Sequence, residues 1–585
     1  MALGVVSVAL ALLAAGSAPA QGLTLPGGAT PGGVPAERPL LVPFRVLPGQ
    51  AITAPAEPSP SGDARQDRFE VRSLLLEGAR DRPDLDISLV ELAQLVERMR
   101  LASVEDEAPR GFTRLLSLAR LGQIAGVVTQ YYRDRGLMLT QAYVPAQTVE
   151  EGRVVIRVVE GILSGVVVEG ARRYDTARLL APFSGLAGRP VTQQSVEKAL
   201  LAANAYPGVR VFGVFRPGPE PGTSELVLNV DEVPLLTGEL FLDNHGTVYT
   251  GDIRTRAEVV LNNPWGGGEQ LSGTAQFTVS PAKSRYYALQ YLRPLADSRT
   301  RLGARAARNG FELGGSLGPL DLEGESIEAE LFARRQLTRR RTGGTHARLG
   351  LTLKHAEMSI PIARQDDLTV AALEWGFERQ IGRRGGSDLA DVTISQGLDT
   401  LGAMDGDSDP RASRVGGSGQ GAGSVFTKVN ARYQKLRPVT ANGNLWLRAA
   451  TQYSGDLLTS IEQMPVGGPD TVRAYPVSEA LVDKGFAVSV DWLARVPFIH
   501  RRQAFAGRTW GDLLKVAVFA DTAGGWLNDP LVTENPYVRL NGVGVGLRFH
   551  LERLSANLEW ARPVAGPTAS DGDGSRLYFA VGLTL

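Results

Sequence analysis

The stretch "GVGVGLRFHLE", residues 542–552, alternates strictly between two kinds of side chain. Its even positions are glycine, arginine, histidine or glutamate, and its odd positions are all apolar. Successive residues of a β-strand point to opposite faces, so this sequence predicts a strand with one wholly apolar face and one small or polar face. The apolar face consists of Val543, Val545, Leu547, Phe549 and Leu551.

The same alternation continues for roughly 350 residues after about residue 233, where helical periodicity ends. "GTAQFTVS" (273–280) and "RTRAEVVL" (254–261) both show it, and the second places Arg254, Arg256 and Glu258 on one face. A soluble sandwich also alternates. Three observations favour instead a closed barrel with lipid outside and water inside. The strands with charged inner faces are numerous, the chain begins with an export signal, and no apolar run is long enough for a spanning helix.

This pattern predicts the fold class of residues 233–585, a transmembrane antiparallel β-barrel. Membrane strands of about 9 to 11 residues, with their turns, give an even count near 16. The longest connection, residues 401–424, is rich in glycine, serine and aspartate, which predicts a solvated, mobile external loop. The final residues put Leu577, Phe579 and Val581 on one face, as in a closing strand.

Composition excludes several classes of function. The chain of 585 residues has 62 basic and 62 acidic residues, which argues against nucleic acid as a partner. It has no cysteine, and its five histidines show no i, i+4 pair. "GGSGQGAG" (416–423) lacks the lysine of a phosphate-binding loop, and no Gly-x-Ser-x-Gly elbow leads into a helix. We therefore expect no enzyme activity, no cofactor and no metal.

The N-terminal residues indicate export. Residues 1–20 are apolar and end in Ala18-Pro19-Ala20, which is typical of a signal peptide, although the usual positive residues are missing and an uncleaved anchor remains an alternative. Residues 21–67 are rich in proline, glycine and alanine and predict a linker or a loosely held plug segment. Their closely spaced prolines argue against a long helix.

Two small α+β domains are predicted before the barrel. In residues 68–161, Ser88 and Glu91 form a capping box at the start of a helix. A second helix follows before Gly136, and strands are predicted at 139–146 and 152–161. The order strand, helix, helix, strand, strand recurs in residues 162–232, which indicates a tandem duplication.

A candidate site joins two distant stretches of the barrel region. In "LKVAVFADTAGGW" (514–526), alternation directs Phe519 and Asp521 towards the lumen. A carboxylate in a narrow lumen needs a partner, and Arg473 in the glycine-flanked stretch "GGPDTVRAYP" (467–476) is the candidate. The alternative is that Arg473 is a solvated loop charge and Asp521 a turn residue.

These two stretches resemble the Val-Arg-Gly-Tyr loop and the Phe-x-Asp-x-Gly strand of the two-partner secretion transporters, in the outer-membrane insertase superfamily. "LFLDNHGTVYTGDIRTRAEVVLNNPWGGGEQLSGTAQF" is similar to the start of that family's barrel. The two α+β domains resemble its polypeptide-transport-associated (POTRA) domains. The resemblance covers nearly all of the chain after residue 67.

The resemblance also implies roles for the residues of the candidate site. Arg473 would be the loop-tip arginine, Asp521 its partner on the barrel wall and Phe519 a packing neighbour. Val472 and Tyr475 would hold the tip. Ala474 replaces the usual glycine, and it would cost about 1 kcal/mol if the tip required a positive φ there.

The resemblance implies a barrel in the outer membrane, surrounded by its lipid, with periplasmic POTRA domains that bind a secreted exoprotein client. The client would be an unfolded, strand-rich protein similar to a haemolysin or an adhesin, and it would pass through the barrel without ATP. Two alternatives remain at this point, a general insertase that assembles other barrels and a passive porin or receptor. Duplicated periplasmic domains argue against a porin.

Overall fold

The computed structural model describes residues 27–30, 68–102 and 113–585, apart from 281, 282, 298, 341, 361, 362, 384, 385, 407, 410, 413, 415–420 and 533. The predicted signal peptide lies outside the described residues, as does most of the predicted linker or plug segment. A short 3-10 turn, Gly27–Ala29, falls within that segment. Among the described residues, no helix is both long enough and apolar enough to cross a membrane.

The first domain has five short strands and two helices. They are β1 Arg68–Val71, β2 Ser73–Glu77, α1 Leu89–Leu101, β3 Arg114–Ser117, α2 Leu118–Asp134, β4 Gln141–Tyr143 and β5 Arg153–Val159. One sheet has the order β2-β5-β4, and β1 pairs with β3 in a separate sheet that the sequence did not predict. The sequence analysis missed β3, because its four residues carry too little alternation to be recognised.

The capping box at α1 forms only in part. The Ser88 hydroxyl accepts a hydrogen bond from the Glu91 amide at 3.4 Å, as predicted. The Glu91 carboxylate does not return to Ser88, because the hydroxyl of Tyr131 on α2 lies between them. That hydroxyl donates to Glu91 at 2.8 Å and accepts from the Ser88 amide at 3.2 Å. A tertiary contact thus replaces half of a local motif and ties the two helices together.

The second domain repeats this arrangement. It consists of β6 Ile162–Glu169, α3 Thr176–Leu180, α4 Gln193–Ala203, β7 Val209–Pro217 and β8 Thr223–Glu232. Its sheet has the order β6-β8-β7, with the last strand in the middle and parallel to the first, as in the β2-β5-β4 sheet. The shared topology supports the predicted duplication.

Sixteen antiparallel strands form a closed barrel, as predicted. The strands are β9 Leu236–Asp243, β10 Ile253–Asn262, β11 Gln270–Ser280, β12 Ser284–Pro294, β13 Thr300–Glu312, β14 Glu323–Arg340, β15 Gly343–Ile360, β16 Ala363–Arg383, β17 Gly386–Leu398, β18 Thr427–Thr440, β19 Gly443–Ser454, β22 Lys484–Arg495, β23 Leu514–Trp526, β24 Tyr537–Leu551, β25 Leu554–Ala565 and β26 Arg576–Thr584. Two further strands, β20 Met464–Val466 and β21 Ala480–Val482, pair with each other, and a short helix α5, Trp510–Leu513, precedes β23.

The predicted faces of the strands are confirmed. On β24, Val545 and Leu547 are exposed on the outer surface, whereas Gly544 and Gly546 are buried towards the lumen. Arg254 on β10 is buried inside, where its Nε donates to Asp243 at 2.9 Å. The apolar outer surface and the polar lumen are what a barrel in lipid requires.

The turn between β10 and β11 fixes which end of the barrel faces the two domains. In that turn, the Gly266 carbonyl accepts a hydrogen bond from the Asp175 amide of the second domain at 3.1 Å. We call this the domain end of the barrel and the other the far end. At the far end, Ala29 is buried against Phe311, Leu313 and Met358.

The first and last strands close the barrel with a short pairing. Strands β26 and β9 share five residue pairs, from Ala580↔Asp243 to Thr584↔Glu239. Beyond them the Asn244 side chain extends the pairing, since its Nδ2 donates to the Leu577 carbonyl at 2.8 Å and its Oδ1 accepts from the Phe579 amide at 2.7 Å. The Asn244 backbone N–H also donates to the Phe579 carbonyl at 3.3 Å, so backbone and side chain together extend the pairing.

The loop over residues 401–424 is not the solvated external loop that its composition predicted. Among its described residues, Met404, Asp409, Ala422 and Ser424 are buried. Met404 and Ala422 belong to one apolar cluster with residues of the inner wall of β15 and β16. Small and apolar residues scattered among the glycines therefore hold this loop against the barrel wall.

Candidate functional site

The connection between β19 and β22, residues 455–483, folds into the lumen from the far end, and we call it the inserted loop. Its two arms pair as β20 and β21. Between them, Val472, Ala474 and Tyr475 are at most 1 % exposed. They pack against inward side chains of the wall, including Phe519 on β23 and Leu540 on β24. The tip is therefore part of a lumenal core.

A glycine pair makes the turn that presents the tip. Gly467 and Gly468 have φ angles of 104° and 92°, which side chains disfavour. A Cβ at Gly467 would lie 2.5 Å from the carbonyl oxygen of Pro476, so the crossing of the two arms also excludes one. The hydroxyl of Thr471 accepts a hydrogen bond from the Gly467 amide at 2.7 Å and closes the turn.

The structure places Arg473 against Asp521. The Asp521 carboxylate accepts from Arg473 three times, from the backbone amide at 3.0 Å, from Nε at 2.8 Å and from Nη2 at 2.6 Å. Both side chains are almost completely shielded from solvent. Arg473 is thus neither a solvated loop charge nor free to rotate.

Two further carboxylates bind the same guanidinium, and the sequence analysis missed both. Asp491 on β22 accepts from Nη1 at 2.9 Å and from Nη2 at 2.8 Å. Glu559 on β25 accepts from Nη1 at 2.8 Å. Strand alternation was the signal that could have found them, because each is an acidic residue at an inward position of a strand whose other face is apolar.

Two arginines of the wall balance the excess negative charge. Arg448 on β19 lies 3.4 Å from Asp491. Arg548 on β24 pairs with Glu559 and lies 3.6 Å from Asp491. Three guanidinium groups therefore face three carboxylates in a neutral, buried cluster. Removing one member of such a cluster leaves an uncompensated charge in a poorly hydrated place.

Phe519 lies directly under the guanidinium of Arg473. The Cζ of Arg473 is 3.4 Å from the centre of the Phe519 ring, a cation–π contact. Gly544 on the next strand makes room for this ring, since a Cβ there would lie 2.3 Å from it. Gly544 therefore makes room for the ring under the tip, in addition to giving the strand a small inner face.

Ala474 does not incur the strain that a positive φ would have caused. It is absent from the residues with positive φ, so the tip does not need glycine at this position. Its methyl group lies against Gly542, where an added Cβ would come within 2.5 Å of the Ala474 Cβ. Tyr475 ties the tip to the last strands, because its hydroxyl donates to the Pro567 carbonyl at 3.0 Å and its carbonyl accepts from the Tyr578 hydroxyl at 2.9 Å.

A second buried ion cluster holds the first arm of the inserted loop. Glu462 accepts a hydrogen bond from Lys354 on β15 at 2.8 Å and another from Lys428 on β18. No sequence pattern predicts this contact, because Glu462 lies in an irregular segment and both lysines are more than 30 residues away in the chain. The loop is thus held to opposite parts of the wall by charge pairs of opposite polarity.

This geometry defines a class of protein. A closed sixteen-stranded barrel with two small domains at one end, and a loop locked inside it by a buried arginine, is an outer-membrane transporter of the POTRA-barrel type. The chain belongs to the family of haemolysin secretion/activation proteins ShlB/FhaC/HecB, whose model matches residues 222–549, and the ShlB-type POTRA domain matches residues 85–161. This family consists of secretion transporters and not of enzymes.

Individual relatives are similar at low identity over most of the chain. The heme/hemopexin transporter protein HuxB of Haemophilus influenzae (strain 86-028NP) is 22% identical over 460 residues, 77% of this chain and 78% of HuxB. The outer membrane transporter CdiB of Escherichia coli is 23% identical over 509 residues, 83% of this chain and 80% of CdiB.

Solved structures share the fold. CdiB from Escherichia coli has a TM-score of 0.61 at 19% identity, over 92% of this chain and 94% of that one. A BamA structure from Haemophilus ducreyi that lacks POTRA domains 1–3 has a TM-score of 0.55 at 14% identity, over 88% of this chain and 100% of that one. The barrel lies in the outer membrane with its POTRA domains in the periplasm.

Proposed function

We propose that this protein secretes one large exoprotein from the periplasm to the cell surface through the lumen of its barrel. The observation that carries the proposal is the buried cluster around Arg473, in a chain of the haemolysin secretion family. Arg473 binds Asp521, Asp491 and Glu559 on three strands of the wall. A passive porin has no use for two periplasmic domains in front of its barrel.

The Arg473–Asp521 pair is proposed to fix the inserted loop in the arrangement that secretion requires. Val472, Ala474, Tyr475 and Phe519 support this arrangement by packing. The role is binding and positioning, and we propose that the protein performs no catalysis. We propose transport without ATP, because the periplasm contains none. Folding of the client outside the cell would give the transport its direction.

The client is proposed to bind the first POTRA domain as an added strand. Among the described residues, β2 has one neighbour in its sheet, so its other edge offers backbone groups to an extended peptide. Leu75 on this strand is 48 % exposed. In the second domain, Asn204 occupies the edge of β7, since its amide bonds both the N–H and the carbonyl of Val211. We therefore place the client at the edge of β2 and not at the edge of β7.

We further propose the domain division of the chain. Residues 1–20 are removed as a signal peptide, 21–67 form a linker or plug, 68–161 and 162–232 are the two POTRA domains, and 233–585 are the barrel. N-terminal sequencing of the protein from isolated outer membranes tests the first boundary. An N-terminus at Gln21 is expected, and retention of residues 1–20 contradicts it.

Quantitative proteomics of culture medium and outer membrane, from cells with and without the gene, tests the function. The proposal predicts loss of one large, strand-rich exoprotein from medium and surface, with other barrels unchanged. A broad fall in outer-membrane barrels would show an insertase instead. A photo-crosslinking residue at position 75 should then trap the identified client in the periplasm, whereas the same residue at Phe212, an exposed position on β7, should not.

A further inference from the structure

A further buried carboxylate, Asp483, lies outside both the Arg473 cluster and the Glu462 cluster. Asp483 is the last residue of the inserted loop, and its side chain is fully shielded from solvent. One carboxylate oxygen accepts from the Leu458 amide at 3.3 Å and from Gln463 Nε2 at 2.9 Å. Both donors belong to the first arm of the inserted loop, so Asp483 joins the two ends of that loop.

The other oxygen of Asp483 binds two different loops of the far end. It accepts from the Asn528 amide, in the connection between β23 and β24, at 2.6 Å. It also lies 3.2 Å from Nη2 of Arg414, in the connection between β17 and β18. Arg414 in turn donates to the Asn528 carbonyl at 2.8 Å. Three loops of the far end therefore meet at one carboxylate.

The loop that carries Arg414 also has an apolar contact with the wall. We call its described residues, 399–406, 408, 409, 411, 412, 414 and 421–426, the inner segment. The Met404 amide donates to the Thr369 carbonyl of β16 at 2.9 Å. Met404, Ala412 and Ala422 cover Leu368 and Val370, which point into the lumen. Leu458 of the inserted loop joins the same cluster.

The contacts around Asp483 are expected to break more readily than those of the Arg473 cluster. The Arg473 cluster uses strands of the wall, which cannot move apart without opening the barrel. The Asp483 contacts join loops to loops, and the inner segment contacts the wall through apolar side chains and a few backbone hydrogen bonds, such as that from Met404 to Thr369. Charge-pair and loop contacts of this kind give way before a closed ring of strands does.

We propose that Asp483 is a positioning residue that latches the inner segment to the inserted loop, and that the inner segment is a second closure of the lumen, withdrawn when the latch opens. This inference rests on the secretion function proposed above. The pore is closed at the far end while Asp483 binds Arg414, and it is open there once this contact is broken. The closure itself is a property of the barrel and does not depend on the client.

Channel recordings on the purified full chain in planar bilayers test the latch without a client. Asp483→Asn keeps the shape and the acceptor oxygen but removes the charge that binds Arg414. We expect it, and Arg414→Gln, to raise the open probability at least about fivefold, since a buried charge that loses its partner destabilises the state that buries it. Asp391→Asn is the matched control, because Asp391 pairs with Arg432 on the wall, away from the three loops.

A crosslink tests whether the inner segment is the moving part. The chain has no cysteine, so Leu368→Cys with Met404→Cys introduces the only thiols. On the Asp483→Asn background, oxidation of this pair is expected to return the open probability to the wild-type value, and reduction to restore the increase. An unchanged open probability in both latch variants, with barrels that show normal heat-dependent migration in gels, would overturn the latch. Persistent opening in the fully oxidised protein would overturn the role of the inner segment.

Discussion

The guanidinium of Arg473 binds Asp491 as closely as it binds Asp521, with the shortest contacts at 2.8 and 2.6 Å. The two carboxylates project from adjacent strands, where Asp491 is paired with Phe519 and Asp521 with Ser489. Their side chains converge on one arginine above the Phe519 ring. The unit that fixes the loop is therefore a cluster and not a pair.

The first prediction concerns the arginine. Arg473→Ala should leave a folded barrel in the outer membrane but lower secretion at least about tenfold, because three carboxylates then share two arginines in a buried place. Secreted client per unit of folded barrel is the measurement. Arg432→Ala is the control, since Arg432 is a half-exposed lumenal arginine bound by Asp391. Normal export by the Arg473 variant would contradict the role assigned to it.

The second prediction separates a cluster from a pair. If Asp491 shares the work of Asp521, then Asp491→Ala should impair secretion about as strongly as Asp521→Ala. Combining either with Arg473→Ala should add little, because residues of one network are not additive. A double-mutant cycle on secretion rates measures this. An Asp491 variant that secretes normally would show that Asp491 does not share the work of Asp521.

The third prediction concerns the space under the tip. In Gly544→Ala, the new methyl group would meet the Phe519 ring and the Trp560 carbonyl, each at 2.3 Å, and a backbone atom cannot move aside cheaply. Overpacking of this kind costs about 1 to 3 kcal/mol, so the temperature of barrel unfolding should fall. Gly273→Ala is the matched strand control, since nothing lies within 4 Å of its added Cβ. Equal melting of the two variants would contradict the packing argument.

The fourth prediction concerns pH and the second POTRA domain. Glu232 accepts backbone hydrogen bonds from Arg172, Arg173 and Tyr174 at 2.9 to 3.1 Å. Burial alone would raise its pKa, but these N–H groups and the Arg173 guanidinium hold the pKa below its usual value. A lowered pKa stabilises the fold above the unfolded pKa of about 4.3, and that stabilisation is lost as the pH falls through the folded pKa.

Glu232→Gln should therefore weaken hydrogen-exchange protection of residues 172–174 at pH 7 relative to the unmodified protein. The difference should shrink as the pH falls through the lowered pKa of Glu232, where the native carboxyl also becomes neutral. Comparing the two proteins at each pH cancels the intrinsic dependence of exchange. A difference that stays constant from pH 7 to pH 3 would show that the charge of Glu232 does not stabilise this turn.

Strand alternation predicted the barrel because each strand lies between lipid and water. Its outward residues must therefore be apolar, and its inward residues polar or small. The same rule placed Asp521 and Phe519 inside. It did not reveal that Asp491 and Glu559 share Arg473, because contacts between distant strands depend on the closed geometry. The buried loop around Met404 was predicted wrongly, since its glycine-rich composition hides the few side chains that anchor it.

The partners of Arg473 also bear on biogenesis. Asp491, Asp521 and Glu559 all follow the arginine in the chain, on β22, β23 and β25. The arginine can be fully paired only once these C-terminal strands are in place, and Tyr475 further requires Tyr578 on β26. The inserted loop therefore acquires its full set of contacts only when the last strands of the barrel have paired. In an incompletely assembled barrel, the charge of Arg473 lacks some of its partners.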